Sequence, residues 1–316
     1  MKKRQAFNLI QESFLMNYYD TRVIDNQLSN TVIIDNELEF MNLYGHDNDM
    51  YLEGFNRKNK MYIGPKGTPH TVIHELLHNL SSSFFEDKRI FNGISYKYSK
   101  GCLNWINEGL TDYLATKISK EPERHYLQGV KFFRGLDKIL NEIYGQNQIL
   151  FESYICNNTY FLENFINNYC TYKYKDKIIN WNEFVENFVF FDNNMIDGII
   201  NNLHKNILKN TKKSIFNRNP KIIDFNKFDE LNVVGLIKKA YYDLKLLNPN
   251  ANEELISKGM KSMIIDNDLQ YISNKRGVKK LLQASMQRFS LIDVIKNNIQ
   301  EFTDIPIENY INNMTR

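Results

Sequence analysis

The sequence predicts an α+β fold: a lobe of short strands and helices over residues 1–120, followed by a mostly α-helical lobe over 121–316. Three observations lead there. Period-2 alternation and hairpin turn signals occur only within about the first hundred residues. A capped amphipathic helix begins near Pro69. From about residue 121 the alternation stops and helical spacing of apolar residues runs to the end.

Taken in order, residues 5–18 suit a short helix, and Val32-Ile33-Ile34 and Leu38 to Met41 suit short strands. Tyr51 to Asn56 and Lys60 to Ile63 are extended runs around Arg57-Lys58-Asn59, a hairpin pattern. Thr68 is a good N-cap, Pro69 fits a first helical turn, and Val72, Ile73, Leu76, Leu77 and Leu80 keep helical spacing. Arg89 to Phe91 and Ile94 to Tyr96 flank Asn92-Gly93, a strong hairpin signal. A second helix spans about Leu103 to Ile118. Farther on, an apolar stripe from Val278 to Phe302 is read as core packing rather than as a membrane or partner face. Lys205, Lys209, Lys212, Lys213, Arg218 and Lys221 are read as a solvated basic face rather than as a site for an acidic partner.

Composition narrows the classes. With 316 residues the chain is long enough to bury a core without disulfides or metal. A 42% apolar and 24% charged composition excludes collagen, coiled-coil and wholly disordered chains. Forty basic against 37 acidic residues give a net charge of +3, so neither nucleic acid nor an acidic membrane is the expected partner. Cys102, Cys156 and Cys170 are too few and too widely spaced for a disulfide framework or a CxxC motif. Met1-Lys2-Lys3-Arg4 resembles the start of a signal peptide, but Asn8, Gln11 and Glu12 interrupt the apolar stretch that should follow. No run of 18 apolar residues occurs. A cytoplasmic protein with no membrane span is expected, with leaderless export as the alternative.

Three of the six histidines fall within nine residues: His70, His74 and His78. His74-Glu75-Leu76-Leu77-His78 is an HExxH motif on the capped helix. Residues four apart share a helix face, so both imidazoles can reach one metal ion, with Glu75 beside them as a general base. Chance yields such a motif in about one chain of this length per hundred, so a third ligand decides the matter. A metzincin pattern would need glycine and histidine where Ser81 and Phe84 stand. Thirty residues past His78 lies Asn107-Glu108-Gly109-Leu110-Thr111-Asp112. Glu108 can offer a carboxylate from a second helix. Asp112, one turn later, can accept a hydrogen bond from the outer nitrogen of a ligand histidine.

Over residues 50–118 this pair of motifs resembles the gluzincin metallopeptidases, the thermolysin-like and aminopeptidase-like zincins. The resemblance implies a zincin-like first lobe with a small twisted sheet and an active-site helix, and a helical lobe closing the cleft. It implies Zn2+ held by His74, His78 and Glu108, Glu75 as base and later proton donor, and Asp112 behind the ligands. It also implies an edge strand that holds an extended peptide, for which Tyr51 to Asn56 is the candidate. Gly109 matches the aminopeptidase-like spelling, whereas the glycine-rich exopeptidase signature upstream is missing.

The oxyanion donor is open among Tyr154, Tyr160, His125 and His204, with Tyr160 the choice because it follows the third ligand in a helical segment. His70 is read as an exposed first-turn residue, with a fourth ligand or substrate contact as the alternatives. Cys102 is read as a small buried residue rather than a thiolate ligand. The expected function is a zinc-dependent peptidase acting on a peptide or protein. The rivals are a zinc hydrolase of one regulatory protein or a non-peptide substrate, and a non-catalytic binding module.

Overall fold

The computed structural model describes residues 2–19, 21–45, 52–57, 60–85, 88–96, 101–122, 125–145, 148–213 and 222–225, and short stretches between 227 and 239. The stripe from Val278 to Phe302, His46, Arg218 and Lys221 lie outside them. Helix α1 (Lys2–Gln11) is followed by a 3-10 turn at Phe14–Asn17, so the helix expected over 5–18 begins and ends earlier. Next come α2 (Thr21–Ser29) and β1 (Thr31–Ile33). Where a strand over Leu38 to Met41 was expected, the chain forms α3 (Glu37–Tyr44). The Asn36 side chain accepts from Glu39 N at 3.0 Å, Glu37 and Glu39 stand in the first turn, and Gly45 closes the helix at φ +84°. Good caps at both ends outweigh the strand tendency of a short, largely apolar run.

Strands β2 (Gly54–Arg57) and β3 (Lys60–Ile63) pair antiparallel from Gly54↔Ile63 to Arg57↔Lys60, the expected hairpin. Strand β1 adds parallel to β3, giving the order β1-β3-β2 with β2 at an edge. Helix α4 (Pro69–Ser81) carries the HExxH motif. Its Thr68 cap is reinforced by Thr71, whose Oγ1 accepts from Thr68 N at 3.0 Å. A second small sheet follows, β4 (Ser83–Phe85), β5 (Lys88–Asn92) and β6 (Ser95–Tyr96) in that order. Helix α5 (Leu103–Ser119) carries Glu108 and ends at Lys120 in the left-handed conformation.

The rest of the described chain is helical apart from one short hairpin. It comprises α6 (Leu127–Tyr144), α7 (Ile149–Ile155), α8 (Tyr160–Tyr169), β7 (Lys173–Tyr174), β8 (Lys177–Ile178), α9 (Trp181–Asn187) and α10 (Asn193–Lys213). The described chain is thus mixed α+β and mostly helical. One core joins Ile10, Val72, Leu76, Leu110, Phe132, Phe161 and Phe184, and it continues across residue 120 without a break. Lys205 and Lys209 are exposed on α10, as a solvated face requires. Among the described residues no helix is long and apolar enough to cross a membrane.

Two close approaches fix where α4 and α5 sit. A side chain on Gly109 would lie 2.5 Å from the backbone of Gly129, so the glycine pair lets α5 and α6 pack backbone to backbone. At the other end of α4, the turn between β5 and β6 places Gly93 at φ +58°. A side chain there would collide with Asn107 and Tyr154.

Candidate metal centre

His74 and His78 are one turn apart on α4 and point the same way, as the HExxH spacing requires. Their Nε2 atoms are 3.0 Å apart, and Glu108 Oε2 from α5 lies 3.2 Å from the first and 3.0 Å from the second. Three atoms able to ligate a metal converge on one point. A tetrahedral ion at 2.0–2.1 Å from each donor sets them about 3.3 Å apart. The observed separations correspond to ligand angles of about 95 to 103° at such an ion. These three residues can therefore hold a metal ion.

The outer nitrogens are also engaged. His78 Nδ1 is 2.7 Å from Asn92 Oδ1 and 3.3 Å from the Tyr154 hydroxyl, which is 2.9 Å from Thr111 Oγ1. An amide oxygen on Nδ1 places the ring proton there and leaves Nε2 free to ligate. The strand register explains why Asn92 can do this. Asn92 pairs with Ser95, so the two turn residues are Gly93-Ile94 and not Asn92-Gly93. Asn92 remains a strand residue with its side chain on His78. The turn itself is held by α4, α5 and the end of α7. Gly93 N donates to Ser81 Oγ at 3.0 Å, Ile94 N to Asn107 Oδ1 at 2.8 Å, and Asn157 Nδ2 to Gly93 O at 2.5 Å.

Behind His74 stands Asp112, 1% exposed, with Oδ1 3.5 Å from His74 Nδ1. The same oxygen is 2.7 Å from His70 Nε2, and His70 Nδ1 is 3.0 Å from Ser119 Oγ. His70 is thus a buried member of this network, not the exposed first-turn residue expected. It starts the row His70, His74, His78 at four-residue intervals, and that spacing was the available signal. His70, His74 and Asp112 form a second group within metal-binding reach. The 2.7 Å between His70 and Asp112 is a hydrogen-bond distance and is shorter than two ligands of one tetrahedral ion adopt.

Electrostatics follow from this crowding. Burial alone would depress the His74 imidazolium, but Asp112 and then Glu108 outweigh it and hold the group up at about 10. Burial alone would raise Glu108, but His78 and then His74 hold it well below the usual carboxylate range. For Asp112 too, burial is outweighed, here by hydrogen bonds from His70 and His74, and the group sits at about 2.

Glu75 lies beside the cluster, largely buried. Asn56 on the edge strand β2 donates through Nδ2 to Glu75 Oε2 at 2.5 Å and to Glu75 O at 2.9 Å. Sequence reasoning gave Asn56 no role beyond its strand. The walls on either side of α4 meet where Glu53, which accepts from Thr71 Oγ1 at 2.5 Å, lies 3.6 Å from His125 Nε2. Next to His125, the Tyr126 ring lies almost parallel to His74, at 6.3 Å and 13°.

The four candidate oxyanion donors fall in different places. Tyr160, the sequence choice, starts α8, interacts with Asp224, and has Lys227 Nζ 5.0 Å above its ring. None of its contacts among the described residues is with the cluster, because α8 packs against α9 and α10 instead. Tyr154 reaches the cluster from behind, fully buried against His78. His204 pairs with Glu142 at 2.6 Å on the α6 and α10 surface. His125 lies 3.6 Å from Glu53 and adjoins Tyr126, whose ring approaches His74. Cys102 caps α5 and its Sγ donates to Glu186 O at 3.6 Å, away from the ligands. Comparisons with family models, with curated proteins and with solved structures found no match to this chain.

Proposed function

We propose that this protein is a zinc-dependent hydrolase of the gluzincin kind, and that its substrate is a peptide or protein. The observation that carries the proposal is the convergence of His74 Nε2, His78 Nε2 and Glu108 Oε2 within 3.2 Å of one another, with Glu75 alongside. Two imidazoles and one carboxylate with a remaining open position make a catalytic zinc set, whereas structural sites are closed by four protein ligands. Bound there, zinc would supply Lewis-acid polarisation of a carbonyl and would acidify water.

The residues of the chain do the rest. Glu75 takes a proton from the attacking water and passes it to the leaving amine. The Asn56 amide holds one carboxylate oxygen of Glu75 and so helps to fix the orientation of that carboxylate. Asp112 and Asn92 keep the outer nitrogens of His74 and His78 occupied and their inner nitrogens directed at the metal. His125 takes the role of oxyanion donor in this scheme. Strand β2, which pairs only with β3 among the described residues, offers its outer edge to an extended peptide, and Asn56 ties that edge to the base.

The test is direct. Elemental analysis of the purified protein should give one zinc per chain. A mixed peptide library should be cleaved by the parent and spared by Glu75→Gln, with zinc content unchanged. Cleavage by that variant at the parent rate would remove Glu75 from the mechanism. Zinc bound without any peptide cleaved would favour a non-peptide or single-protein substrate.

A further inference from the structure

We infer that Trp105, Tyr126 and Leu127 form a substrate subsite beside the metal centre, and that it takes a large apolar, preferentially aromatic, side chain of the peptide next to the bond being cut. This rests on the peptidase reading above and names its substrate class. Trp105 lies three residues before Glu108 on α5, so the two share a helix face. Its indole is 57% exposed, although tryptophan is normally highly buried. Tyr126 meets that indole at 5.7 Å and 66°, approaches His74 near-parallel, and touches the His125 ring at 6.5 Å. Leu127, the first residue of α6, is 53% exposed beside them.

The backbone is committed to this arrangement. Tyr126 adopts φ 50° and ψ 36°, the left-handed region that an ordinary side chain enters only at a cost. The Gly109–Gly129 contact fixes the start of α6 against α5, and the left-handed residue turns the tyrosine ring back over His74. The Tyr126 ring, half-buried, therefore approaches His74, and the exposed indole of Trp105 lies on the same face of α5 as Glu108. The other exposed large apolar residues among those described are scattered over β1, α3, β8 and the 188–190 turn, as single surface residues normally are. An extended peptide lying along β2 directs its side chains alternately to the two faces of the sheet. The aromatic shelf is linked to β2 through His125, which precedes Tyr126 and lies 3.6 Å from Glu53, the residue before Gly54.

The experiment uses fluorescence and binding, so it does not depend on turnover. The chain has two tryptophans, Trp105 and Trp181. Trp181→Phe leaves Trp105 as the only indole. This variant, loaded with zinc, is titrated with phenylalanine hydroxamate and with glycine hydroxamate. The phenyl probe should change Trp105 emission and bind at least about tenfold more tightly than the glycyl probe, as burial of a ring against two others implies. In Trp105→Ala, read by calorimetry, that preference should fall to about twofold or less. An undiminished preference in Trp105→Ala, equal binding of both probes by the parent, or no binding of either to a zinc-loaded chain overturns the subsite. Peptide library cleavage separates the two claims. Cleavage with no aromatic bias removes the subsite and leaves the peptidase, whereas a phenyl preference lost in Trp105→Ala with no peptide cleaved keeps the apolar subsite and removes the peptidase.

Discussion

Replacing His70 with leucine should weaken zinc binding although His70 is not a ligand. His70 supplies the shortest hydrogen bond to Asp112, 2.7 Å against 3.5 Å from His74, and both fall on the same oxygen. The other oxygen, Asp112 Oδ2, is buried with no hydrogen-bond partner among the described residues. Loss of His70 therefore leaves a buried carboxylate with His74 as its only close partner. A hydrogen bond to a charged group is worth about 1.5–3 kcal/mol, and removing a partner behind a metal ligand typically costs 10- to 100-fold in affinity. The expected increase in the zinc dissociation constant is thus about 10- to 100-fold, measured by competition with a fluorescent chelator. His70→Gln, which retains a donor near the Nε2 position, should recover part of it. The decisive comparison is a double-mutant cycle with Asp112→Asn. If His70 acts through Asp112, the double variant loses little more affinity than Asp112→Asn alone. Fully additive losses would refute that chain of action, as would unchanged zinc affinity in His70→Leu.

Four further expectations follow from the same geometry. His74 is raised from 6.5 to about 10, so in metal-stripped protein its contribution to stability is full below pH 6.5 and is lost as pH rises through 10. Asp112 is lowered from 3.8 to about 2, so its contribution is full above pH 3.8 and is lost as pH falls through 2. Chemical unfolding after chelation should show both contributions together between about pH 3.8 and 6.5. Zinc must displace the His74 proton, so zinc affinity should rise about tenfold per pH unit from neutrality towards 10, and a flat profile would contradict the assignment. Gly109→Ala forces α5 and α6 apart and should cost about 1–3 kcal/mol in denaturant titration, with a change in Trp105 emission as Tyr126 moves. His125→Ala should retain zinc and lower kcat about 10²- to 10³-fold, the usual loss of an oxyanion donor, and an unchanged kcat would exclude that role.

Local signals carried the ligand helices into view, and tertiary contacts hid the rest. Thr68, Pro69 and the four-residue spacing of His74 and His78 are all read within one helix, and the structure places them as that pattern requires. Glu108 was legible because its motif also occupies one helix. The strand expected at Leu38 to Met41 was an error of period: three apolar residues in a run of four fit either element, and the decisive caps, Asn36 and Gly45, lie outside the run. The four-residue row pointed to a face shared by His70, His74 and His78, but the partners that bury His70, Asp112 and Ser119, lie 42 and 49 residues away and no local pattern names them. Choosing Tyr160 among nineteen tyrosines failed to reach the cluster for the same reason, since the packing of α8 is a long-range matter. The boundary at residue 120 marks a change of secondary structure, but the hydrophobic core runs through it.

The one-residue shift in the Gly93 turn shows how backbone geometry can set ligand chemistry. Had Asn92-Gly93 been the turn, Asn92 would have left the strand and lost the orientation it gains from pairing with Ser95. With Gly93 at φ +58° in the first turn position, the strand extends one residue farther, and the Asn92 amide oxygen falls on His78 Nδ1. Glycine is required there twice over, by that φ and by the close approach of Asn107 and Tyr154. Asn107 in turn stands next to Glu108 and holds the turn through Ile94 N. The segment that supplies the third ligand thus also fixes the partner of the second, so the position of α5 and the tautomer of His78 are set by one packing event. A change at Gly93 should therefore reach the metal through His78, while a change at Gly109 should reach it through α5 and Glu108.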